Sequence, residues 1–216
     1  IVANVLTPGS IAHLFPNFSL LFILFFSLFK LSLISLNLYF LILFLILLPL
    51  VSFVPPKRNK VKFQNDIFKG EYSETLEQPL WVEYKVLCPS GTASRTGMDF
   101  FTNDSIYTSD SKDYENNVYD KGHLAPAADF SCDKPTLLKT FSYLNCALQN
   151  QYLNRGVWRV LEMKERDLAK KYEVKVKITL DFNGQCEVLT SGATVPIGFF
   201  KYITYNNTTY TYYFEN

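Results

Sequence analysis

The stretch "YDKGHLAPAADF", residues 119–130, places a histidine between a glycine and a Leu-Ala-Pro turn, directly after an aspartate and a lysine. His123 is one of two histidines in the chain. Because the pKa of histidine lies near neutral pH, its imidazole can take a proton from water in a hydrolytic reaction. A lone loop histidine is more often a surface residue or a core hydrogen-bonding group, so the stretch needs a second signal.

That signal is "YLNCALQNQYLNRGVWRVLEMKER", residues 143–166. Asn154 stands at the start of a predicted amphipathic helix, Glu162 follows eight residues later and Arg166 four residues after that, so the three share a sector of about 120°. One side-chain oxygen is enough to hold magnesium, which keeps most of its waters. Asn154 could supply it, Glu162 could bind metal-held water and Arg166 could contact a phosphate. On the residues alone, Asn154 equally fits a helix N-cap and Trp158 a core residue.

The remaining pattern indicates one α+β domain from about Phe63 onward. "PLWVEYKVL" (79–87) predicts a strand that ends at a turn, and "YEVKVKITL" (172–180) predicts a strand with alternating apolar side chains. The final residues predict a hairpin that turns at Asn206 and Asn207, a pair that tolerates positive φ.

Two further segments surround the candidate site residues. A helix is predicted from Arg155 to about Tyr172, and its apolar positions are Val157, Leu161, Leu168 and Ala169. Residues 102–118 are polar and acidic, which predicts a surface loop before the His123 stretch.

Charge limits the possible partners. Lys30 is the one charged residue in 1–54, so the other 20 basic residues balance 20 acidic ones, which argues mildly against a protein that binds nucleic acid through net charge alone. Within residues 155–177, however, eight basic residues outnumber four acidic ones. The basic residues are Arg155, Arg159, Lys164, Arg166, Lys170, Lys171, Lys175 and Lys177, and the acidic residues are Glu162, Glu165, Asp167 and Glu173. This segment is either a phosphate-facing side or a solvated helix face.

The N-terminal residues 1–56 form a separate hydrophobic segment. Residues 31–54 contain enough uncharged residues for one membrane span, which favours an uncleaved anchor. The alternative is a non-native extension. The chain starts with Ile1, and this segment is rich in Phe, Leu, Ile, Ser and Asn, the residues that translation of AT-rich non-coding sequence would produce.

Signals for localisation conflict. The basic "KRNKVK" after the segment favours a cytoplasmic domain, whereas acceptor patterns at Asn103, Asn206 and Asn207 would require a lumenal or secreted one. Localisation is therefore open, with a membrane-associated or secreted protein expected if the segment is native. The sequence also leaves the oligomeric state open.

Four cysteines, Cys88, Cys132, Cys146 and Cys186, lack the spacing of a zinc site. They allow two disulfides in three pairings, or buried free thiols.

Together, the two quoted stretches resemble the DNA/RNA non-specific endonuclease family, the ββα-metal nucleases that include endonuclease G. The family's first motif is matched at Asp120, Gly122, His123, Ala125 and Pro126, and its second at Asn145, Gln149, Asn154, Trp158, Leu161 and Glu162. Weaker similarity extends over residues 63–214. The resemblance implies an α+β ββα-metal nuclease fold for residues 57–216, with a mainly antiparallel central sheet and a long site-bearing helix.

It also implies roles for several residues in and beside these motifs. His123 would be the general base, Asn154 the only direct protein ligand of one Mg²⁺ (with Mn²⁺ as a substitute), and Glu162 an outer partner of its waters. Further residues of the implied catalytic and substrate-binding set are Lys121, Asn145, Arg155 and Arg166. DNA and RNA would both be substrates, and cleavage would leave 5′-phosphate ends.

Departures from the family pattern keep alternatives open. Lys121 stands where the family usually has arginine, Leu148 replaces a proline, and Arg95 lies a few residues out of register with an upstream substrate-binding arginine. The family pattern continues beyond "YTYYFEN", which raises the expectation of a C-terminally truncated domain. An inactive nuclease-like domain that binds nucleic acid or protein, or a membrane-anchored interaction protein, are the alternatives. The joint presence of a base and a metal ligand favours the enzyme.

Overall fold

The computed structural model describes Lys30, Asn37, Leu38 and residues 58–216. The chain divides into two compact units, Ile1–Pro56 and Lys57–Asn216. The predicted hydrophobic segment and its span at 31–54 lie outside the described residues, apart from the three named, so its assignment as a membrane anchor or a non-native extension stays a prediction. Within the described part, no helix has the length and apolar character needed to cross a membrane.

The centre of the second unit is a six-stranded antiparallel sheet. Its strands are β1 (Lys60–Gln64), β2 (Phe68–Ser73), β3 (Gln78–Lys85), β6 (Lys175–Asp181), β7 (Gly198–Tyr205) and β8 (Thr208–Glu215). They lie side by side in the order β1-β2-β3-β6-β7-β8. A separate antiparallel pair consists of β4 (Tyr119–His123) and β5 (Cys146–Asn150). The predicted mainly antiparallel α+β fold is confirmed.

Alternating side chains explain why these strands form where they do. In β6, Val176, Ile178 and Leu180 are buried while the residues between them are more exposed, as the period of two requires. The predicted strand at 172–180 is thus confirmed, although it begins at Lys175, and the strand predicted at 79–87 is β3.

The predicted hairpin is also confirmed. Asn206 and Asn207 have φ of 47° and 58° and connect β7 to β8. Two consecutive positive φ values are those of a type I′ turn, whose twist matches that of the flanking strands.

The helix that follows β5 differs from its prediction. It consists of α2 (Gln151–Leu153), a π-helical segment (Asn154–Trp158) and α3 (Arg159–Ala169), together called the site helix below. A short helix, α1 (Lys134–Leu138), precedes it. The side chain of Asn150 accepts a hydrogen bond from the Tyr152 amide at 2.9 Å and caps the start. The predicted start at Arg155 and the reading of Asn154 as N-cap are therefore wrong.

The predicted apolar face of this helix is wrong at Val157, which is 59 % exposed, while Trp158 is fully buried. Gly156 has non-helical backbone angles (φ −99°, ψ −117°) inside the π-helical segment, so the regular 3.6-residue phase does not hold across it. Trp158 packs edge-on against Phe199 of β7 and Phe214 of β8, and its interpretation as a core residue is confirmed.

Residues 102–118 are less of a surface loop than predicted. Asp110 caps a 3₁₀ turn at Ser111–Tyr114, and Ser109 and Asp113 are almost fully buried. The Ser109 amide donates to the Tyr72 hydroxyl at 2.7 Å, which ties the segment to β2.

Of the four cysteines, Cys88 and Cys132 form a disulfide, with their Cα atoms 5.4 Å apart. Cys146 is a buried free thiol and Cys186 a partly buried one. One disulfide thus joins the segment after β3 to the segment before α1.

Candidate functional site

A cavity of about 1180 Å³ lies between the site helix, the end of β4 and the loop that follows the disulfide. It is lined by six of the seven predicted site residues: Lys121, His123, Asn154, Arg155, Glu162 and Arg166. Asn145, the seventh, is not among the lining residues. Residues that were grouped by their spacing in the sequence therefore line one cavity.

His123 lies beside this cavity because it stands at the end of β4, which pairs with β5. Gly122 lies opposite Ala147, and a Cβ atom at Gly122 would come within 2.6 Å of the Gln149 side chain. Glycine is thus the residue that lets Gln149 pack against β4. His123, the next residue, is the last residue of the strand.

His123 is packed between two aromatic rings. Its ring centroid lies 4.6 Å from that of Phe100 and 4.8 Å from that of Phe141. Burial, together with the positive charge of Arg95, lowers the pKa of His123 to about 3. The buried Nε2 has no hydrogen-bond partner among the described residues. The imidazole is therefore neutral at pH 7 and can accept a proton.

Lys121 lies two residues before His123 and is paired with Asp99. Its Nζ is 2.8 Å from Asp99 Oδ1 and faces the rings of Phe100 and Tyr143 at 5.9 and 5.6 Å. Desolvation alone would lower the pKa of Lys121, but hydrogen bonding and charge interactions with Asp99 and Tyr143 together outweigh it, and the pKa is raised. The ammonium is thus charged where it lines the cavity.

Asp120 connects two predicted site residues. Its Oδ2 accepts hydrogen bonds from Asn154 Nδ2 and Arg155 Nε, both at 2.9 Å, and its Oδ1 accepts from Arg155 Nη2 at 2.6 Å. Burial would raise the pKa of Asp120, but these bonds hold it below its ordinary value. Because Asp120 takes the amide N–H of Asn154, it fixes the orientation of that side chain, and Asn154 Oδ1 accepts no hydrogen bond from a described residue.

Glu162 and Arg166 follow on α3, and both are only partly exposed. Burial raises the pKa of Glu162 to about 7, and the nearby Glu165 adds to this, while Lys201 and Arg166 oppose it. Arg166 Nη1 donates to Asp129 Oδ1 at 2.9 Å. Burial and the charge of Glu165 also raise the pKa of the fully buried Asp129 to about 7.

A buried ion pair anchors the site helix to the sheet. Lys201 of β7 and Glu165 of α3 are both fully buried, with Nζ and Oε1 2.7 Å apart. The Tyr84 hydroxyl donates to Glu165 Oε2 at 3.1 Å, and Lys201 Nζ lies 4.3 Å from the Trp158 ring centroid. Removing one partner of such a pair leaves an uncompensated buried charge, so this contact fixes where the helix sits.

Asn145, which was predicted as part of the catalytic set, lies outside the cavity lining and contacts the chain around it. It is fully buried, its Oδ1 accepts from the Ala125 amide at 2.7 Å, and its Nδ2 donates to the carbonyls of Ala125 and Thr140, both at 2.9 Å. These bonds hold the turn after His123. Asn145 is therefore a positioning residue, because its polar atoms are all used inside the protein.

Sequence reasoning missed several residues of the site. Asp120 and Asp129 lie in the opening stretch but were given no role, although an acid beside predicted cationic groups was a usable signal. Arg95, Phe100 and Arg159 also line the cavity. Phe100 and Arg95, which the family pattern placed a few residues out of register with a substrate-binding arginine, come from a loop without periodicity, so no pattern in the sequence placed them beside His123.

The donor set can be compared with what a metal ion needs. Within the described part of the chain, no three His, Cys, Asp or Glu side chains form a metal-binding group. Asn154 and Glu162 instead offer hard oxygen donors to the cavity, and the raised pKa of Glu162 reflects a desolvated carboxyl group that a cation would stabilise in its charged form. Such a set fits magnesium, which binds through one or two oxygen ligands and retains its waters.

The family model described as "DNA/RNA non-specific endonuclease" matches residues 51–214. The human protein "Endonuclease G, mitochondrial" is 33 % identical over 108 residues, which cover 47 % of this chain and 36 % of that protein. "Nuclease EXOG, mitochondrial" of Danio rerio is 31 % identical over 106 residues (47 % and 31 %), and "Mitochondrial nuclease" of Saccharomyces cerevisiae is 32 % identical over 110 (47 % and 33 %). The chain spans about a third of the length of these relatives.

Among solved structures, the chain resembles one from the EndoG/EndoGI complex, with a TM-score of 0.63 and 24 % identity. The match covers 72 % of this chain and 74 % of that chain. At this identity the similarity concerns the fold, and it agrees with the antiparallel sheet and site helix described above.

Proposed function

Because the chain belongs to the DNA/RNA non-specific endonuclease family, we propose that it is a metal-dependent endonuclease that hydrolyses phosphodiester bonds in DNA and RNA. The observation that carries this proposal is the cavity shared by His123, Asn154 and Glu162. A binding module has no need for a neutral imidazole next to oxygen donors suited to a cation.

His123 is proposed as the general base. Its neutral imidazole takes a proton from a water molecule as that water attacks phosphorus in line with the leaving 3′ oxygen. A pKa of about 3 describes the site without substrate. An anionic phosphate in the cavity opposes the effects of burial and Arg95, and therefore raises this pKa towards the range useful for a base.

Asn154 is proposed as the residue that would hold Mg²⁺, or Mn²⁺ in its place, and Glu162 as the side chain that would accept hydrogen bonds from the water molecules on the ion. Asp120 fixes the orientation of the Asn154 side chain by accepting a hydrogen bond from its amide N–H. A bound magnesium would supply positive charge that stabilises the charge developing on the phosphate.

Cationic side chains complete the proposed site. Lys121, Arg155 and Arg166 each line the cavity and have donors beyond those used on their aspartate partners. Contacts to phosphate carry no sequence information, which supports low specificity for sequence and sugar. Departure of the 3′ oxygen leaves 5′-phosphate ends.

The test is cleavage by the full chain of supercoiled plasmid and of RNA, with magnesium and then with excess chelator. We expect both substrates to be cleaved, chelator to stop the reaction, and the new ends to accept a label only after removal of 5′-phosphate. Binding of both nucleic acids without any cleavage would instead identify the inactive nuclease-like alternative.

A further inference from the structure

The cations of the cavity differ in whether a carboxylate neutralises them. Three are paired within the protein: Lys121 with Asp99 at 2.8 Å, Arg155 with Asp120 at 2.6 Å and Arg166 with Asp129 at 2.9 Å. Two further arginines, Arg95 and Arg159, line the same cavity, and neither forms an ion pair or hydrogen bond through its side chain with another residue in 58–216. Arg95 acts on the buried His123, whose pKa its charge lowers, whereas Arg159 lies on the site helix. Arg159 is also exposed, so its guanidinium is available to an anion from outside.

The position of Arg159 on the site helix determines which site residues share a helix face with its unpaired guanidinium. Arg159 is the first residue of α3, and Glu162 and Arg166 follow three and seven residues later. At 1.5 Å and about 100° per residue, Arg166 lies about 10.5 Å further along the axis and about 20° around it. The two arginines therefore occupy one face of the helix, with Glu162 between them along the axis.

We propose that Arg159 binds a phosphate of the nucleic-acid strand next to the phosphate that is hydrolysed. This inference rests on the proposed function. Glu162 belongs to the reacting centre, and a strand that crosses it along the helix brings a neighbouring phosphate to the face that carries Arg159. No existing ion pair has to be broken for this contact, in contrast to the three paired cations.

The substrate that this site selects is a strand with several phosphates. A guanidinium can donate two parallel hydrogen bonds to one phosphate, and each neutralised phosphate adds to the salt dependence of binding. A mononucleotide or a single phosphodiester reaches the reacting centre without using Arg159. The cavity thus distinguishes polymers from small esters by this contact.

Binding of a fluorophore-labelled single-stranded oligonucleotide to the full chain tests the contact in chelator, which prevents cleavage. Kd is measured across a series of salt concentrations for wild type, Arg159→Ala and Lys164→Ala. Lys164 loses the same charge, but it is exposed, does not line the cavity and lies about 140° around the helix from Arg159.

We expect Arg159→Ala to reduce the slope of log K against log salt by about 0.7, the value for one phosphate of a single strand, and Lys164→Ala to leave it unchanged. An unchanged slope for Arg159→Ala, or an equal reduction in both variants, would overturn the proposal.

Cleavage then separates a neighbouring phosphate from the reacting one. With magnesium, Arg159→Ala should cleave a chromogenic ester with a single phosphodiester at the wild-type rate and a long strand more slowly. Equal loss on both substrates would assign Arg159 to the reacting phosphate and overturn the proposal. If wild type cleaves neither substrate, the proposed function fails, while the binding slopes still decide the role of Arg159.

Discussion

Burial of His123 has two opposing consequences, because it fixes the ring and also makes protonation of the ring costly. Contact with Phe100 and Phe141 fixes the ring, but the same burial makes the imidazolium costly, which is why the pKa falls to about 3. A neutral ring is what a proton acceptor needs, and the cost of protonating it must also affect stability.

The first prediction follows from this cost. An unfolded histidine has a pKa of about 6.5, so between pH 6.5 and about 3 the unfolded chain binds a proton that the folded site excludes. We expect the free energy of unfolding of wild type, relative to His123→Phe, to fall as pH falls through this window and to be constant above pH 7. Urea unfolding in chelator at several pH values measures it.

His123→Phe preserves the aromatic packing, so its cleavage rate should drop at least about 10²-fold at pH 8 without loss of fold. A stability difference that does not change between pH 4 and 8 would show that His123 is not desolvated as described.

Lys121 permits a second prediction at this scale. Lysine offers a point charge, whereas arginine offers a planar fork that can bind Asp99 and still donate to a phosphate. Since one charge-assisted hydrogen bond contributes about 1.5–3 kcal/mol, Lys121→Arg should raise the cleavage rate roughly ten-fold or somewhat more. Plasmid cleavage by wild type, Lys121→Arg and Lys121→Ala checks this, and equal rates in all three would show that position 121 does not touch the reacting phosphate.

Residues of the site were predictable where they lie close together in the sequence. Asn154, Glu162 and Arg166 share a helix, and His123 stands in a compact motif, so their grouping follows from spacing. Asp99 is 22 residues from its partner Lys121, and Arg95 reaches the cavity through an irregular loop. Contacts of that kind depend on the path of the loop, which no periodicity encodes.

Among the elements, the β7–β8 hairpin supports the site helix, because Phe214 of β8 contacts Trp158. Asn207 has a φ of 58°, a conformation that costs most L-residues about 1–2 kcal/mol. We expect Asn207→Ala to lower the free energy of unfolding by about 1 kcal/mol and Asn207→Gly to leave it unchanged or higher. Chemical denaturation of the two variants provides the comparison, and equal stability for Ala and Gly would contradict the turn geometry.

Strands were predicted more accurately than the helix. The alternation in β6 and the Asn-Asn turn have direct physical causes in side-chain burial and positive φ. In the site helix, the π-helical segment around Gly156 shifts which residues face inward, so a regular period wrongly assigned Val157 to the apolar face, although Trp158 was correctly predicted to be a core residue. The spacing of apolar residues in a sequence does not reveal a local change from α-helix to π-helix.

At the scale of the whole molecule, the sheet, the site helix and the β4–β5 pair are joined by contacts distant in sequence. The disulfide closes 44 residues, and the buried Lys201–Glu165 pair connects β7 to α3. The sequence left the cysteine pairing open and gave no hint that Lys201 is buried, since a lysine in a strand normally faces solvent. The fold class was predictable, whereas these long-range contacts were not.

We propose that one cavity combines a base, His123, with a cation that Asn154 would bind. The most direct measurement is the cleavage rate of plasmid as a function of magnesium concentration for wild type, Asn154→Ala and Asn150→Ala, with thermal melting of each. Asn150 is the actual helix cap, so Asn150→Ala should cost about 1 kcal/mol of stability and leave the magnesium midpoint unchanged. We predict that Asn154→Ala raises that midpoint at least about ten-fold and lowers the maximal rate; a midpoint and rate equal to those of wild type would contradict the account.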